Sequence, residues 1–160
     1  MAQKITPFLW YTKEAEEAAQ FYTSLFPDSR ITRVVTLPSD SPSGPAGSVK
    51  VVDFELFGQA FTAMTAAGRP GEFNEAISFT VNCKDQGEVD RYWEALLQGG
   101  GEPQACGWLK DRYGVRWQIT PTALIDMYAS PDQAAAKRAA DAMMKMVKLD
   151  IAALQAAFKG

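Results

Sequence analysis

One succession of sequence patterns occurs twice in this 160-residue chain. Each occurrence starts with a short aromatic and branched run, continues with an amphipathic helical pattern, and ends with three further strand-like runs. Such a unit places its helix on one face of a sheet and leaves the other face open. We therefore predict an α+β fold in which two βαβββ modules form curved mixed sheets with helices on their outer faces, plus a C-terminal helical tail. The predicted single domain divides into module one (1–68), module two (72–121) and the tail (122–160).

The second occurrence ends in a predicted β-hairpin at Cys106–Pro121. Its four-residue link, Asp111–Gly114, has glycine in the last place, where a turn often needs positive φ. A register symmetric about this link puts two indoles on one face and an amide beside an empty space on the other. The predicted cross-strand pairs are Trp108 with Trp117 and Gly107 with Gln118. A slip of one residue would exchange the two faces.

Composition excludes several classes of function. The chain has no histidine, which removes Ser-His-Asp triads, Cys-His dyads and zinc sites that contain histidine. A net charge of −3 without a basic tract argues against nucleic acid as a partner. No apolar run approaches the ~20 residues that span a bilayer, so we expect a cytoplasmic protein without a membrane partner. Cys83 and Cys106 lack C-x-x-C spacing and are expected to be inert core thiols.

Polar residues mark the predicted helix starts, because their side chains accept hydrogen bonds from a first helical turn. These predicted caps are Thr12, Asp85, Ser130 and Asp150. Between the second and third caps, Thr122–Ala129 fits either a short helix or an irregular crossing. After the third cap, an alanine and methionine stripe fits packing within the chain and packing on a second subunit equally well.

Strand alternation predicts which side chains line the concave face. Glu55 is the candidate proton acceptor if desolvation raises its pKa, and Gln118 and Ser78 are candidates to orient a ligand carbonyl or hydroxyl. Asp53 also fits a simple cross-strand ion pair with Lys50 and Arg116. The candidate ligand-binding residues are Leu9, Tyr11, Asp53, Ser78, Thr80, Arg116 and Gln118. The residues predicted to pack under the helices are Phe8, Trp10, Phe54, Ile77, Phe79, Trp117 and Ile119.

Several stretches of this sequence resemble the PhnB-like proteins, also labelled 3-demethylubiquinone-9 3-methyltransferase-like. That family is part of the glyoxalase, bleomycin-resistance and extradiol-dioxygenase superfamily, the vicinal oxygen chelate fold. The resemblance covers most of residues 5–121, and Lys148–Phe158 resembles the tail of one subgroup. The stretches that carry it are Ala15–Pro27, Asn74–Phe79, Asp85–Trp93 and Cys106–Pro121.

The resemblance implies two βαβββ modules around a pocket, usually in a dimer. Metal-using members of the superfamily place His or Glu ligands at positions that correspond here to Pro7, Glu55, Ala76 and Gln118. One carboxylate and one amide do not replace such a ligand set, so we predict no metal. The methyltransferase label implies S-adenosylmethionine, which normally needs a glycine-rich turn from a strand into a helix. Gly99–Gly101 instead follows a helix, so we predict no cofactor.

Three functions are therefore carried forward. The first is a metal-independent small-molecule-binding protein of the glyoxalase and bleomycin-resistance fold, with proton transfer through Glu55 as its possible chemistry. The second is a dimerising interaction module without catalysis. The third is a methyltransferase-like enzyme, as the family label suggests. The expected partners are a small-molecule ligand and a second copy of the chain.

Overall fold

A computed structural model describes residues 3–66 and 72–160. The chain divides into two compact units, Met1–Glu72 and Phe73–Gly160. The predicted linker over residues 66–74 falls largely at positions 67–71, which lie outside the described residues. Within the described part, no helix combines the length and the apolar composition that crossing a membrane requires.

The first unit is a four-stranded sheet covered by one helix, in the strand order β1-β4-β3-β2. Strand β1 runs parallel to β4, and the other neighbours are antiparallel. A two-residue turn joins β3 to β4, with φ of 49° at Phe57 and 76° at Gly58, as a type I′ hairpin requires. The elements are β1 (Phe8–Tyr11), α1 (Ala15–Leu25), β2 (Arg30–Thr36), β3 (Lys50–Leu56) and β4 (Gln59–Thr65).

Helix α1 packs on this sheet through an alanine-rich stripe that allows close approach. Tyr22 fills the space beside the stripe, and its ring lies 6.4 Å from that of Phe54. The predicted Thr12 cap is wrong, because the N-cap residue is Glu14, which makes no side-chain cap bond, and the N–H group of Ala15 donates to Thr65 Oγ1 at 3.0 Å. The small residues buried on the stripe are Ala15, Ala18 and Ala19.

Strand β1 faces the opposite way from the prediction. Leu9 and Tyr11 are 8% and 2% exposed, whereas Phe8 is 56% exposed and Trp10 is 36% exposed. The cause is the pairing with β4, which sets Leu9 beside the fully buried Ala63. Leu9 and Tyr11 therefore belong to the core under α1, and the prediction that Phe8 and Trp10 pack there is wrong.

The second unit repeats this topology, with the strand order β5-β8-β7-β6 and β5 parallel to β8. The predicted Asp85 cap is confirmed, since Asp85 Oδ1 accepts from the N–H group of Glu88 at 2.9 Å. Ile77, predicted to pack under the helix, precedes the sheet and is 73% exposed. The elements are β5 (Ser78–Cys83), α2 (Gln86–Leu97), β6 (Glu102–Pro103), β7 (Trp108–Lys110) and β8 (Arg116–Pro121).

The register of the β7–β8 hairpin differs by one residue from the prediction. Trp108 pairs with Gln118, and Leu109 pairs with Trp117. The strands end at Lys110 and resume at Arg116, so the link is one residue longer than predicted. Trp117 is 3% exposed in the core, while Trp108 lies on the open face beside Gln118. The predicted pair of indoles is therefore wrong.

A buried carboxylate sets the longer link. Asp111 is 1% exposed, and its Oδ1 accepts from the N–H groups of Tyr113 at 2.8 Å and Val115 at 3.0 Å. Its Oδ2 accepts from Trp117 Nε1 at 2.9 Å. These bonds fold the link around one side chain and satisfy the indole N–H group that the register buries.

Three helices follow the second sheet. Of the two alternatives for Thr122–Ala129, the short helix is the one found, over Thr122–Tyr128. The predicted Asp150 cap is confirmed, since its side chain accepts from the N–H group of Ala153 at 2.9 Å. The predicted Ser130 cap is wrong, because Asp132 accepts from the N–H group of Ala135 at 3.0 Å. The tail helices are α3 (Thr122–Tyr128), α4 (Gln133–Met143) and α5 (Ile151–Lys159).

The tail packs on its own unit. The N–H groups of Cys106 and Gly107 donate to the carbonyls of Met146 at 2.9 Å and Val147 at 2.8 Å. Gln86 on α2 donates to the carbonyl of Leu149 at 3.0 Å and accepts from the N–H group of Ile151 at 2.8 Å. The residues that form the tail core are Leu124, Met127, Ala139, Leu149 and Leu154. These elements confirm the α+β fold of two βαβββ modules with a helical tail.

Candidate functional site

We call the uncovered side of the first sheet the first open face. It carries a polar depression of about 350 Å³. Asp53 and Glu55 line it, because β3 turns Val52, Phe54 and Leu56 into the core and exposes the alternate positions. The prediction that these two carboxylates share the open face is therefore confirmed. Threonine and arginine side chains complete the lining, among them Thr6, Thr32, Arg33 and Thr62.

Asp53 is held from two sides. Arg33 on β2 donates through Nε at 2.7 Å and Nη2 at 2.6 Å to Asp53 Oδ2, while Thr62 Oγ1 donates to Oδ1 at 2.8 Å. The predicted partners are wrong: Lys50 pairs with Glu16 at 2.7 Å, and Arg116 belongs to the other unit. Both oxygens of Asp53 are thus engaged in a fixed geometry.

Glu55 is held more loosely. Arg30 Nη2 lies 3.1 Å from Glu55 Oε2, and the Arg30 side chain is 73% exposed. In the described part of the chain, Glu55 Oε1 has no partner. The Glu55 side chain is 31% exposed, so a solvent molecule or a ligand can reach it. Glu55 is therefore the carboxylate of this depression that can accept a hydrogen bond or a proton.

The open face of the second sheet, the second open face, carries the other predicted polar residues. Ser78 pairs with Arg116, and Thr80 pairs with Gln118, so all four share one side of β5 and β8. Gln118 Nε2 donates to Ser78 Oγ at 2.9 Å, which fixes the amide. The predicted facing of these four residues is confirmed.

Arg116 is already occupied by its own unit. Its Nη1 donates to the carbonyls of Gly114 at 2.6 Å and Phe73 at 3.2 Å, and its Nη2 lies 3.5 Å from Glu75 Oε2. The Arg116 side chain is 15% exposed, and its Nε is buried without a partner in the described residues. These bonds hold the segment before β5 against the hairpin.

Sequence reasoning missed several residues of these faces. Arg30 and Arg33 lie directly across from Glu55 and Asp53 in the β2–β3 ladder, and their cationic side chains on a neighbouring strand were the available signal. Trp108 was missed because the predicted register placed it under the helix. Leu9 and Tyr11 are absent from the first open face, where Phe8 and Trp10 stand instead.

The positions that correspond to metal ligands in the superfamily do not fit a divalent ion. Pro7 and Ala76 offer no donor side chain, the Glu55 carboxylate meets Arg30, and the Gln118 amide meets Ser78. Across residues 3–66 and 72–160, no three His, Cys, Asp or Glu side chains cluster as a metal site. Divalent ions in proteins need several such donors around one point.

Neither the Cys83 thiol nor the glycine-rich run fits a catalytic role. Burial, reinforced by Glu88 and Asp85, raises the pKa of the fully buried Cys83 thiol to about 12. A thiol in that state is a poor nucleophile. Gly99–Gly101 ends α2, with φ of 75° at Gly99 and 111° at Gly100. In the described part of the chain, no glycine-rich turn leads from a strand into a helix.

Comparison with known proteins identifies relatives of this arrangement. The sequence profile of the family "3-demethylubiquinone-9 3-methyltransferase" matches residues 3–120. The PhnB protein from Bacillus cereus, a suggested 3-demethylubiquinone-9 3-methyltransferase, is 36% identical in sequence. Its match covers 74% of this chain and 99% of that chain, with a TM-score of 0.66. No curated protein sequence matches the chain significantly.

Two more distant structures share the fold alone. Protein PA1353 from Pseudomonas aeruginosa is 22% identical, with a TM-score of 0.54, over 75% of this chain and 98% of that chain. The fosfomycin resistance protein FosX from Mesorhizobium loti is 13% identical, with a TM-score of 0.56, over 81% of this chain and 99% of that chain. Residues 121–160 lie beyond the matched family segment.

Proposed function

Since the chain belongs to the 3-demethylubiquinone-9 3-methyltransferase family, with a glyoxalase-like fold, we propose that it is a small-molecule-binding protein that needs no divalent metal. The observation that carries this proposal is the depression of about 350 Å³ over Asp53 and Glu55. Its volume lies in the range of small-ligand sites, and its polar groups converge from β2, β3 and β4.

The two carboxylates take different parts in this proposal. Asp53 is clamped by Arg33 and Thr62, and so it shapes the site and keeps Arg33 in place. Glu55 offers one oxygen to a ligand hydroxyl or amine, and to a proton if a reaction follows. Ser78, Thr80, Arg116 and Gln118 are proposed as further ligand-binding groups on the second open face.

Metal independence is supported by the donor set. Of the four positions that correspond to superfamily ligands, Glu55 is the one with a carboxylate, and an arginine competes with any cation for it. The proposed chemistry is therefore recognition, with proton transfer through Glu55 as its catalytic extension, and it does not include Lewis-acid catalysis.

The family name also suggests methyl transfer, which we do not propose. The fold is built of two four-stranded mixed sheets and lacks, in the described residues, the strand-to-helix glycine turn that usually receives S-adenosylmethionine. Calorimetric titration with S-adenosylmethionine is expected to give no binding heat. A saturable heat signal would return methyl transfer to consideration.

A homodimer is a second proposal, favoured by one feature of the first sheet. Its edge strand β2 exposes apolar side chains, with Val34 at 46% and Val35 at 39%. Exposed edge strands readily pair with another chain. Light scattering during gel filtration measures the mass, and a monomer at all concentrations would remove this proposal. We also propose a reducing, cytoplasmic compartment, which suits the two free cysteines.

A thermal-shift screen with small polar and aromatic metabolites tests the main proposal. A ligand at a hundred times its dissociation constant adds about 2.7 kcal/mol of stability. Hits are expected to persist in the presence of a chelator. Glu55→Gln is expected to weaken the hits that bind over Asp53 and Glu55, whereas Glu94→Gln, on the exposed side of α2, is the matched control and leaves them unchanged. Hits that require added metal, or a screen in which Glu55→Gln weakens no hit, would contradict the proposal.

A further inference from the structure

Trp108 is an indole that makes no aromatic contact or side-chain hydrogen bond with the described residues. It is half-buried on the second open face, opposite Gln118. In the described part of the chain, its ring meets no other aromatic ring and its N–H group has no hydrogen-bond acceptor. Trp117, on the neighbouring strand β8 and on the other face, has its N–H group bound to Asp111 at 2.9 Å. Because Trp108 is only half-buried, its ring and its N–H group are open to solvent or to a bound molecule.

Gln118 adds an acceptor next to this indole. Its Nε2 donates to Ser78 Oγ, so the amide orientation is set and Oε1 is left as the acceptor. In the described residues nothing donates to that oxygen. Side chains directly opposite on antiparallel strands have Cβ atoms about 4.5–5.5 Å apart. A flat aromatic surface and an oriented carbonyl oxygen therefore lie side by side.

The charge around this pair favours a neutral occupant. Lys110 on the same face is paired with Glu102, with Nζ 2.7 Å from the carboxylate. Arg116 donates to two backbone carbonyls and lies near Glu75. Both cations of this face are thus already matched within the unit, and an anionic ligand would have to displace those partners. Thr80 on β5, which pairs with Gln118 on β8, is exposed and uncharged.

We propose that the second open face binds a neutral, planar aromatic molecule that carries an amide or another N–H donor. The ring stacks on the indole of Trp108, and the ligand N–H group donates to Gln118 Oε1. This inference rests on the proposal that the chain binds small molecules, and it adds the chemical class of the ligand and a residue, Trp108. It does not need Asp53 or Glu55.

Indole-3-carboxamide is the probe, observed through the indole N–H signals of the 15N-labelled protein. The chain has four tryptophans, and the spectrum of Trp108→Phe identifies the Trp108 signal. A fragment of this size binds with a dissociation constant on the order of millimolar. Titration is expected to move the Trp108 signal in a saturable way, while the Trp117 signal stays fixed because Asp111 holds it.

Two changes test stacking and hydrogen bonding separately. Trp108→Leu keeps an apolar side chain but removes the aromatic face, and it is expected to weaken binding about tenfold, as followed in this variant through the backbone N–H signals of β7 and β8. Cyclohexanecarboxamide has the same amide without the ring π system, and it is expected to bind at least about tenfold more weakly for the same reason. Gln118→Leu is expected to abolish the preference for carboxamides over hydrocarbon rings. The undisturbed Trp117 signal in each variant confirms that the hairpin is folded.

Three results would overturn the inference. The Trp108 signal could stay unmoved up to the solubility limit of the probe, the Trp10 signal could move instead, or cyclohexanecarboxamide could bind as tightly as indole-3-carboxamide. Glu55→Gln is expected to leave the Trp108 titration unchanged. If the probe leaves the Trp108 signal unmoved while a metabolite stabilises the protein through Glu55, this inference is overturned and the function proposed above stands.

Discussion

In both sheets the first strand runs parallel to the last, yet the two open faces carry different chemistry. The first is crossed by the ion pairs of Arg30 with Glu55 and Arg33 with Asp53. The centre of the second is neutral and presents Trp108 beside Gln118. The buried faces carry the apolar pattern that fixes the topology, and the residues of the open faces can therefore differ between the two sheets. We expect the functional residues among those that differ.

The hairpins of the two sheets differ as well. In the first, two residues with positive φ, Phe57 and Gly58, close a two-residue turn, and the Phe57 ring lies 5.3 Å from that of Phe26. In the second, the link depends on the buried Asp111, and the tail packs against the start of β7. The second hairpin and the attachment of the tail therefore depend on a few specific contacts, which can be removed one at a time.

Asp111→Ala is expected to give the largest effect. It leaves the buried Trp117 N–H group and two backbone N–H groups without acceptors, at a cost of about 3–5 kcal/mol in the free energy of unfolding. Urea denaturation measures this loss, and hydrogen exchange should place it in the second unit. A loss below about 1 kcal/mol would contradict the role given to this carboxylate.

Gly107→Ala is expected to come next, with Gly58→Ala as its matched control. Both glycines have positive φ, 80° and 76°. A Cβ at position 107 would lie 2.9 Å from the Leu149 side chain and 3.1 Å from the Ile119 carbonyl, whereas position 58 has nothing within 4 Å. We expect losses of about 2–3 kcal/mol at position 107 and about 1 kcal/mol at position 58. Equal losses of stability in the two variants would mean that Leu149 moves aside at no cost, which would contradict close packing of the tail at Gly107.

Gln86→Leu tests how firmly the tail is attached. The variant removes the bonds to the Leu149 carbonyl, the Ile151 N–H group and the Asp90 carboxylate while keeping a similar volume. The expected loss is about 1–2 kcal/mol, and the Ile151 amide should exchange faster with solvent. Gln20→Leu, on the exposed side of α1, is the control. An unchanged exchange rate at Ile151 would show that the tail is held by its apolar core alone.

The smallest expected effect concerns the ion pair of Asp90 with Lys148, 2.9 Å apart. Hydrogen bonds from Gln86 and Lys148 lower the pKa of Asp90 below 3.8, and the Asp90 carboxylate raises the pKa of Lys148 above 10.5. The stabilisation is therefore complete between those values. It is lost as the pH falls through the lowered pKa of Asp90 or rises through the raised pKa of Lys148.

Because both side chains are partly exposed to solvent, the pair should contribute only about 0.2–1 kcal/mol. Lys148→Met is expected to flatten the stability profile below pH 4 and above pH 10 by that amount, as measured by thermal melts across pH. Lys137→Met, which breaks the exposed pair with Asp141, is the control in the same unit. A larger change in the control than at Lys148 would contradict this assignment.

Alternation predicted the sheet faces correctly where polar and apolar residues take turns. Asp53 and Glu55 on β3 and Ser78 and Thr80 on β5 fall on the predicted faces for that reason. Strand β1 gave no such signal, because Phe8–Tyr11 is apolar or aromatic throughout. Its facing is set by the pairing with β4, which local sequence does not encode.

The hairpin and the tail were predictable only in part. A turn near Gly114 could be foreseen, but its exact length depends on Asp111 being buried, and acidic residues are rarely buried. The helix starts at Asp85 and Asp150 followed from local capping chemistry. The surface on which the tail packs could not be predicted, because an alanine and methionine stripe can pack equally well on the same chain and on a second copy.

Native mass spectrometry of the freshly purified protein, before and after treatment with a chelator, tests the central claim most directly. We predict a small molecule bound to the wild-type chain, retained after chelation, and weakened by Glu55→Gln but not by Glu94→Gln. A stoichiometric divalent ion whose removal also releases the ligand would contradict the claim.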